Sequence, residues 1–278
     1  MNILEKIVLH KQTEVAEARQ KVAQKVLEAS PHWHRTPISL KNSLLSRQGS
    51  GIIAEFKTQS PSRGIIKAAP PEAEARKSFV QNIVWGYQQA GVSAVSVLTD
   101  QAFFSGLSTD LQNAREWLTI PILRKDFIID SYQVAEAKAW GADLILLIAA
   151  CLDPTQLREL AQYAHSLGLE VLMEVHDRAE LERSPTDFVD LVGVNNRNLK
   201  TFQVDVQTSL DLAPHIPKHL IKVTESGLRQ VETLFQLREA GYQGFLIGES
   251  FMKTDDPGST CAELTRQLTQ SGKMLSNA

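Results

Sequence analysis

From Gly51 onward, short runs rich in β-branched residues alternate with stretches patterned for helix, and this rhythm restricts the fold more than any other feature. The runs fall at 52–57, 94–98, 120–125, 144–148, 169–175, 188–195, 221–225 and 244–248. Helical patterns fall at 72–90, 109–117, 131–140, 154–167, 178–183, 206–212, 229–240 and 258–270. Strand and helix alternating this way build parallel βαβ units. A count of eight predicts a closed (β/α)8 TIM barrel rather than an open doubly wound sheet. Glycine follows several expected helices, at Gly91, Gly141, Gly168 and Gly241, where a left-handed residue closes the last turn. The first run lacks a GxGxxG after it, so a dinucleotide site has no support.

Before the barrel, residues 2–29 read as one long helix, with Ile3, Ile7, Val8, Val15, Ala18, Val22 and Val26 at helical spacing. Ser30-Pro31 ends it, because the residue before proline resists helix. Residues 38–45 form a second short helix. The chain is therefore expected to be a single barrel domain over 1–278, with 1–48 as a helical extension packed on the barrel.

The length of 278 residues suits one such barrel. A net charge of −3 gives no basic field, which argues against nucleic acid and anionic membranes as partners. No apolar run approaches membrane-spanning length, and Glu5, Glu14 and Glu17 do not fit a targeting peptide. A cytoplasmic monomer is the expectation. Cys151 and Cys261 are lone thiols with no disulfide framework, and both read as ordinary small residues.

In such a barrel the C-terminal strand ends supply the chemistry. The first run ends with Glu55 and Lys57, two apart and so on one face, followed by Ser60-Pro61-Ser62-Arg63-Gly64. The third ends at Lys125, the fifth at Glu174, the sixth at Asn195 and Arg197, the seventh at Glu225-Ser226-Gly227, and the eighth at Gly248-Glu249. Unpaired charge is costly to bury, so lysines and carboxylates gathered at one mouth point to acid–base work. Glycines after the last two strands suit backbone N–H groups closing on a phosphate. The expected ligand is a phosphorylated small molecule.

The strings IIAEFKTQSPSRG, SVLTDQAFFSG, PILRKDFIIDSYQVAEAKAWGADLILLI, LGLEVLMEVHD, GVNNRNLKTFQVD, TESGL and FLIGESFM occur in order along the chain. Together they resemble the indole-3-glycerol-phosphate synthase family of tryptophan biosynthesis, and the leader resembles that family's N-terminal helical segment. The resemblance implies a carboxy-lyase acting on 1-(2-carboxyphenylamino)-1-deoxyribulose 5-phosphate. It closes the pyrrole ring with loss of carbon dioxide and water.

By that resemblance, Lys125 is the acid at the ketone oxygen and Glu174 assists dehydration. Lys57 lies near the substrate carboxylate and ring, while Glu55 holds and tunes Lys57 or Lys125. Asn195 and Ser226 hydrogen-bond the reacting region, and Arg197 meets the substrate carboxylate. Ser60, Gly227, Gly248 and the backbone of Glu249 cradle the phosphate. Phe127, Phe103 and Leu123 are expected as apolar walls for the aromatic ring. No metal or organic cofactor is expected, since lysines and a carboxylate suffice for proton transfer.

Two stretches depart from the family pattern. The loop at 67–81 reads as longer and carries Pro70-Pro71, and Phe104-Ser105-Gly106-Leu107 stands where Gly-Ser commonly follows the aromatic pair. Five other residues receive simpler readings. His176 is expected to be a neutral loop histidine, and Asp126 a helix cap. Glu225 is expected to support Lys57 or Asn195. His32 and His34 lack a third metal ligand. Two rival functions are weaker. A phosphoribosylanthranilate isomerase barrel resembles a Cys/Asp acid–base pair, whereas the first run here offers Glu and Lys. A catalytically idle binding barrel has no physical need of Lys57, Lys125 and Glu174 in one pocket.

Overall fold

A computed structural model describes residues 3–46, 49–199 and 201–275. Eight parallel strands close into a barrel: β1 (Ile52–Phe56), β2 (Ala94–Leu98), β3 (Ile122–Lys125), β4 (Leu144–Ile148), β5 (Glu170–Val175), β6 (Leu191–Asn195), β7 (Ile221–Glu225) and β8 (Gly244–Ile247). Each pairs with its sequence neighbours, and β8 closes on β1 through Ile52 opposite Phe245. The expected (β/α)8 barrel is the observed fold.

Strand parity sorts the core into two layers. Ile52, Ala54, Val95, Val97, Ile122, Val171 and Met173 face out and meet the helical ring. Ile53, Ala94, Leu123, Leu144, Leu172, Leu191 and Val223 face in and fill the barrel. The same alternation continues to the strand ends. Glu55, Lys125, Glu174, Asn195 and Glu225 share the parity of the inner layer, and Arg124 and Asp126 that of the outer one.

The leader forms three helices, α1 (Ile3–Lys21), α2 (Gln24–Glu28) and α3 (Leu40–Leu45). The single helix expected over 2–29 is thus corrected to two, and Asn2 lies outside the described residues, as does Gln48 at the expected end of the extension. The break has a cause: the Tyr132 hydroxyl donates to the carbonyls of Ala18 (3.1 Å) and Val22 (2.8 Å). Val26 N–H then bonds Ala23 instead of Val22.

α3 plugs the N-terminal end of the barrel. Its Leu40 and Leu44 join the inner core layer. Ser39 caps it, and the Glu170 carboxylate at the start of β5 accepts from Leu40 N (2.8 Å), Lys41 N (3.1 Å) and Ser39 Oγ. α1 lies at the opposite end, where Ile3, Leu4 and Ile7 line the cavity at the C-terminal mouth.

The outer helices include α4 (Ala73–Gln89), α5 (Gln101–Phe104), α6 (Ser108–Trp117), α7 (Ser131–Trp140), α8 (Pro154–Ser166), α9 (Arg178–Arg183), α10 (Gln207–Leu212), α11 (Val231–Glu239), α12 (Glu249–Met252) and α13 (Pro257–Leu275). The loop expected over 67–81 gives way to helix where the pattern at 72–90 predicts it. A small hairpin pairs Gln59–Ser60 with Gly64–Ile65, and α4 begins at Ala73, so residues 73–81 are helical.

Candidate active site

The inward residues at the strand ends open on one cavity of about 580 Å³. On its wall, Lys125 Nζ bridges Glu174 Oε2 (2.7 Å) and Glu225 Oε2 (2.9 Å). Burial works against the ammonium, yet Glu174, Glu225 and Glu55 outweigh it and hold Lys125 charged, above the ordinary lysine range. Burial likewise opposes charge on Glu174, but Lys125 and His176 keep it ionised, well below the usual carboxylate range.

Glu225 differs. Burial first, then the Glu174 charge, pushes it up to about 7. Its Oε1 is buried without a hydrogen-bond partner. It stands opposite Asn195 in the β6–β7 register, and Gly193 leaves it room, since a Cβ there would lie 3.2 Å from Oε1. Two carboxylates thus share one lysine, and the pair retains a group able to take up or release a proton near neutrality.

Asn195 links this cluster to the next loop. Its Nδ2 donates to Glu174 Oε1 (3.1 Å), and its Oδ1 accepts from Ser226 Oγ (2.9 Å) and Arg197 N (3.0 Å). Ser226 holds a left-handed backbone (φ 70°), a strained state for a serine that is more often found at functional sites. Across the mouth Glu55 and Lys57 form an ion pair.

The last two loops make a tight floor. Gly227 has φ 78°, and a Cβ on it would meet Val204 Cγ1 at 2.6 Å. A Cβ on Gly248 would meet Glu55 Oε1 at 2.6 Å. Ser60 and Glu249 line the same cavity. The Glu249 carboxylate sits between Arg63 Nε (3.5 Å) and Arg229 Nη2 (3.6 Å). Glycine backbone and three arginines, Arg63, Arg197 and Arg229, therefore ring one end of the cavity, as an anion requires. Among the described residues, no group of three or more His, Cys, Asp or Glu is placed to hold a metal ion.

A profile of the family described as "Indole-3-glycerol phosphate synthase" matches residues 4–264. The chain belongs to the indole-3-glycerol phosphate synthase family. Curated relatives of that name include one from Bacteroides thetaiotaomicron, 46% identical over 96% of this chain and 99% of that one. Another, from Burkholderia vietnamiensis, is 44% identical over 95% of this chain and 98% of its own length. Solved barrels resemble the fold at low identity. The 3-hexulose-6-phosphate synthase of Salmonella typhimurium aligns over 79% of this chain and 99% of that one, with TM-score 0.61 and 12% identity.

Of the residues that resemblance to the synthase family singled out, Glu55, Lys57, Ser60, Lys125, Phe127, Glu174, Asn195, Arg197, Ser226, Gly227, Gly248 and Glu249 all line the one cavity. Phe103 and Leu123 do not. Leu123 has inward parity but lies one layer below Lys125, fully buried in the barrel core. Phe103 turns away to an edge contact with His10 of α1, at 5.7 Å between ring centroids. Phe104 takes its place, 6.0 Å from the Phe127 ring. The Phe-Phe pair was the available signal. The choice between its members depends on the turn of α5, which no strand pattern reveals.

Three other readings are corrected. Glu225, expected to support Lys57 or Asn195, pairs with Lys125 and stands opposite Asn195 in the sheet register. Asp126 does not cap α7, whose N-cap is Asp130. It sits instead in a buried ion cluster with Lys11 of α1 (3.0 Å) and Arg124 (3.0 Å). His176 is not a neutral loop residue but lies between two carboxylates. Sequence reading also missed Ile3, Leu4, Ile7, Arg63 and Arg229 on the cavity wall.

Proposed function

We propose that this chain converts 1-(2-carboxyphenylamino)-1-deoxyribulose 5-phosphate to indole-3-glycerol phosphate, carbon dioxide and water, with Lys125 and Glu174 as its principal catalytic residues. The observation that carries the assignment is the Lys125 ammonium held between Glu174 and Glu225 on the wall of a cavity lined by Arg63, Arg197 and Arg229.

The phosphate lies against Ser60, Gly227, Gly248 and the Glu249 backbone. Arg197 and Lys57 meet the carboxylate, and Phe127 and Phe104 flank the aromatic ring. The ring carbon bearing the carboxylate attacks the ketone carbon, and Lys125 protonates the ketone oxygen as its charge develops. The bond to the carboxylate then breaks, carbon dioxide leaves, and its electron pair restores the aromatic ring. In the dehydration, the hydroxyl leaves as water with a second proton from the lysine–carboxylate cluster. Glu174 accepts the proton that the new ring gives up. Glu225, poised near neutrality, resets Lys125. Asn195 and Ser226 fix Glu174 relative to the reacting carbons.

Every group in this scheme comes from one chain, so we also propose a cytoplasmic monomer that works as a single barrel domain with its leader. Among the described residues no helix is long and apolar enough to cross a membrane. The test is indole fluorescence after mixing the protein with the substrate. Rising signal in wild type, lost in Lys125→Ala while phosphate-dependent binding persists, supports the lyase. A folded wild type that binds the substrate without turnover supports an idle barrel instead.

A further inference from the structure

A second line of charge runs from Glu174 toward the rim of the barrel. His176 follows β5, and its side chain is only 10% exposed. Its Nε2 lies 3.2 Å from Glu174 Oε1, and its Nδ1 lies 3.1 Å from Glu180 Oε2 on α9. The same Glu180 oxygen accepts from His176 N at 2.8 Å, which fixes the ring's attachment as well as its edge. The Nε2 contact is poorly aligned as a hydrogen bond, so it acts chiefly as charge on charge. Acceptor oxygens stand at both ring nitrogens. A neutral ring would leave a bare nitrogen lone pair against a carboxylate, and only the imidazolium suits both sides.

We propose that His176, held as an imidazolium by Glu180, is a positioning residue that fixes Glu174 Oε1 and keeps that carboxylate ionised when Lys125 turns to the substrate. The proposal rests on the reading of Glu174 as the dehydration carboxylate. In the free enzyme Lys125 serves Glu174 Oε2, but the reaction draws that ammonium to the ketone oxygen. Asn195 then remains as a neutral donor to Oε1, and His176 is the cation left beside Glu174. The surroundings favour the charged ring. Burial opposes it, but the close contact with Glu174, the Glu180 hydrogen bond and the charges of both carboxylates push His176 up to about 10. From the turn after β4, the thiol of Cys151 is pushed up by burial and by the same two carboxylates, and stays neutral. Arg183 of α9 turns away to the carbonyls of Ala149 (2.5 Å) and Leu152 (3.5 Å).

The test is the pH profile of kcat in the full-length enzyme for His176→Asn and Glu180→Gln, with 15N shifts of the imidazole ring. In wild type both ring nitrogens should remain protonated through pH 8. In His176→Asn, kcat should fall tenfold or more with KM within about threefold, and its acid limb should move up by about one unit as Glu174 loses a cation. In Glu180→Gln the ring loses the anion that raises it, so the alkaline limb should move to lower pH. Unmoved limbs, or variants that differ from wild type in thermal stability alone, overturn the proposal, as does a neutral ring at pH 7. Glu174→Gln separates this from the parent reading. Full turnover in that variant removes both, whereas a dead Glu174→Gln beside an unmoved His176→Asn profile removes only the positioning role.

Discussion

Two lysines are buried at the same end of this barrel, Lys125 and Lys11, whose partner Asp126 follows Lys125 in the chain, and they do different things. Lys125 faces the cavity between Glu174 and Glu225, with its side chain 12% exposed. Lys11 of α1 is 1% exposed and bridges Asp100 (2.9 Å) and Asp126 (3.0 Å), with Glu14 at 2.9 Å. Strand parity creates the division: Lys125 points into the barrel and Asp126 out of it. Around Lys11 the two aspartates also meet further donors: Asp126 meets Arg124 and Thr99, while Asp100 accepts from Phe103 N. Lys11 and Arg124 hold Asp126 well below the usual range against its burial. That cluster is closed to solvent at Lys11, Asp100 and Asp126, and it ties the leader helix over the mouth. Around Lys125 two carboxylates share one ammonium on the wall of the cavity, and Glu225 answers with a raised value. An ion cluster closed to solvent holds structure, whereas one that opens on a cavity can move protons.

Substitutions separate the two roles. The largest effect belongs to the cavity: Glu174→Gln should lower kcat by about 10³-fold and change the melting temperature little. Stopped-flow indole fluorescence beside a thermal scan reads both. Lys11→Met should do the reverse. It leaves buried carboxylates short of a cation, which costs about 3 kcal/mol and lowers the melting temperature by roughly 10 °C, with kcat at 25 °C within a few-fold of wild type.

Glu225 sharpens the contrast through pH. Its folded value is raised above the unfolded one, so the stability it contributes is present at low pH and lost as pH rises from about 4.5 through about 7. Glu225→Gln lacks this loss. Its melting temperature should therefore gain on wild type between pH 5 and pH 8 and run parallel above that. A difference that does not change with pH contradicts the raised value.

The aromatic wall gives a smaller effect. Phe104→Leu should raise KM by about threefold to tenfold through the lost ring contact, and Phe103→Leu should leave KM unchanged. The smallest effect lies at the sealed end. Ser39→Ala removes the cap of α3 and should cost about 1 kcal/mol, a few degrees of melting temperature, with no kinetic change.

The barrel was legible in the sequence because its signal is local. A β-branched run of four to six residues declares a strand, and its parity then carries Glu55, Lys125, Glu174, Asn195 and Glu225 to one mouth. What escaped depends on partners distant in the chain. The break after Lys21 is made by the hydroxyl of Tyr132. The partners of Lys11 are Asp100 and Asp126, and nothing near residue 11 announces them. The charge on His176 is set by Glu180 one helical turn onward, a spacing visible in the sequence but read as a loop. The choice of Phe104 over Phe103 is decided by the orientation of a four-residue helix.

The most direct test puts Lys125→Met and Lys11→Met side by side, measuring turnover and thermal unfolding on the same samples. The account predicts crossed results. Lys125→Met loses turnover by about 10³-fold yet melts near wild type, because Glu225 can take a proton in place of its lost cation. Lys11→Met melts well below wild type yet turns over substrate. A folded Lys11→Met without turnover, or a Lys125→Met that retains it, would contradict the division of labour between the two clusters.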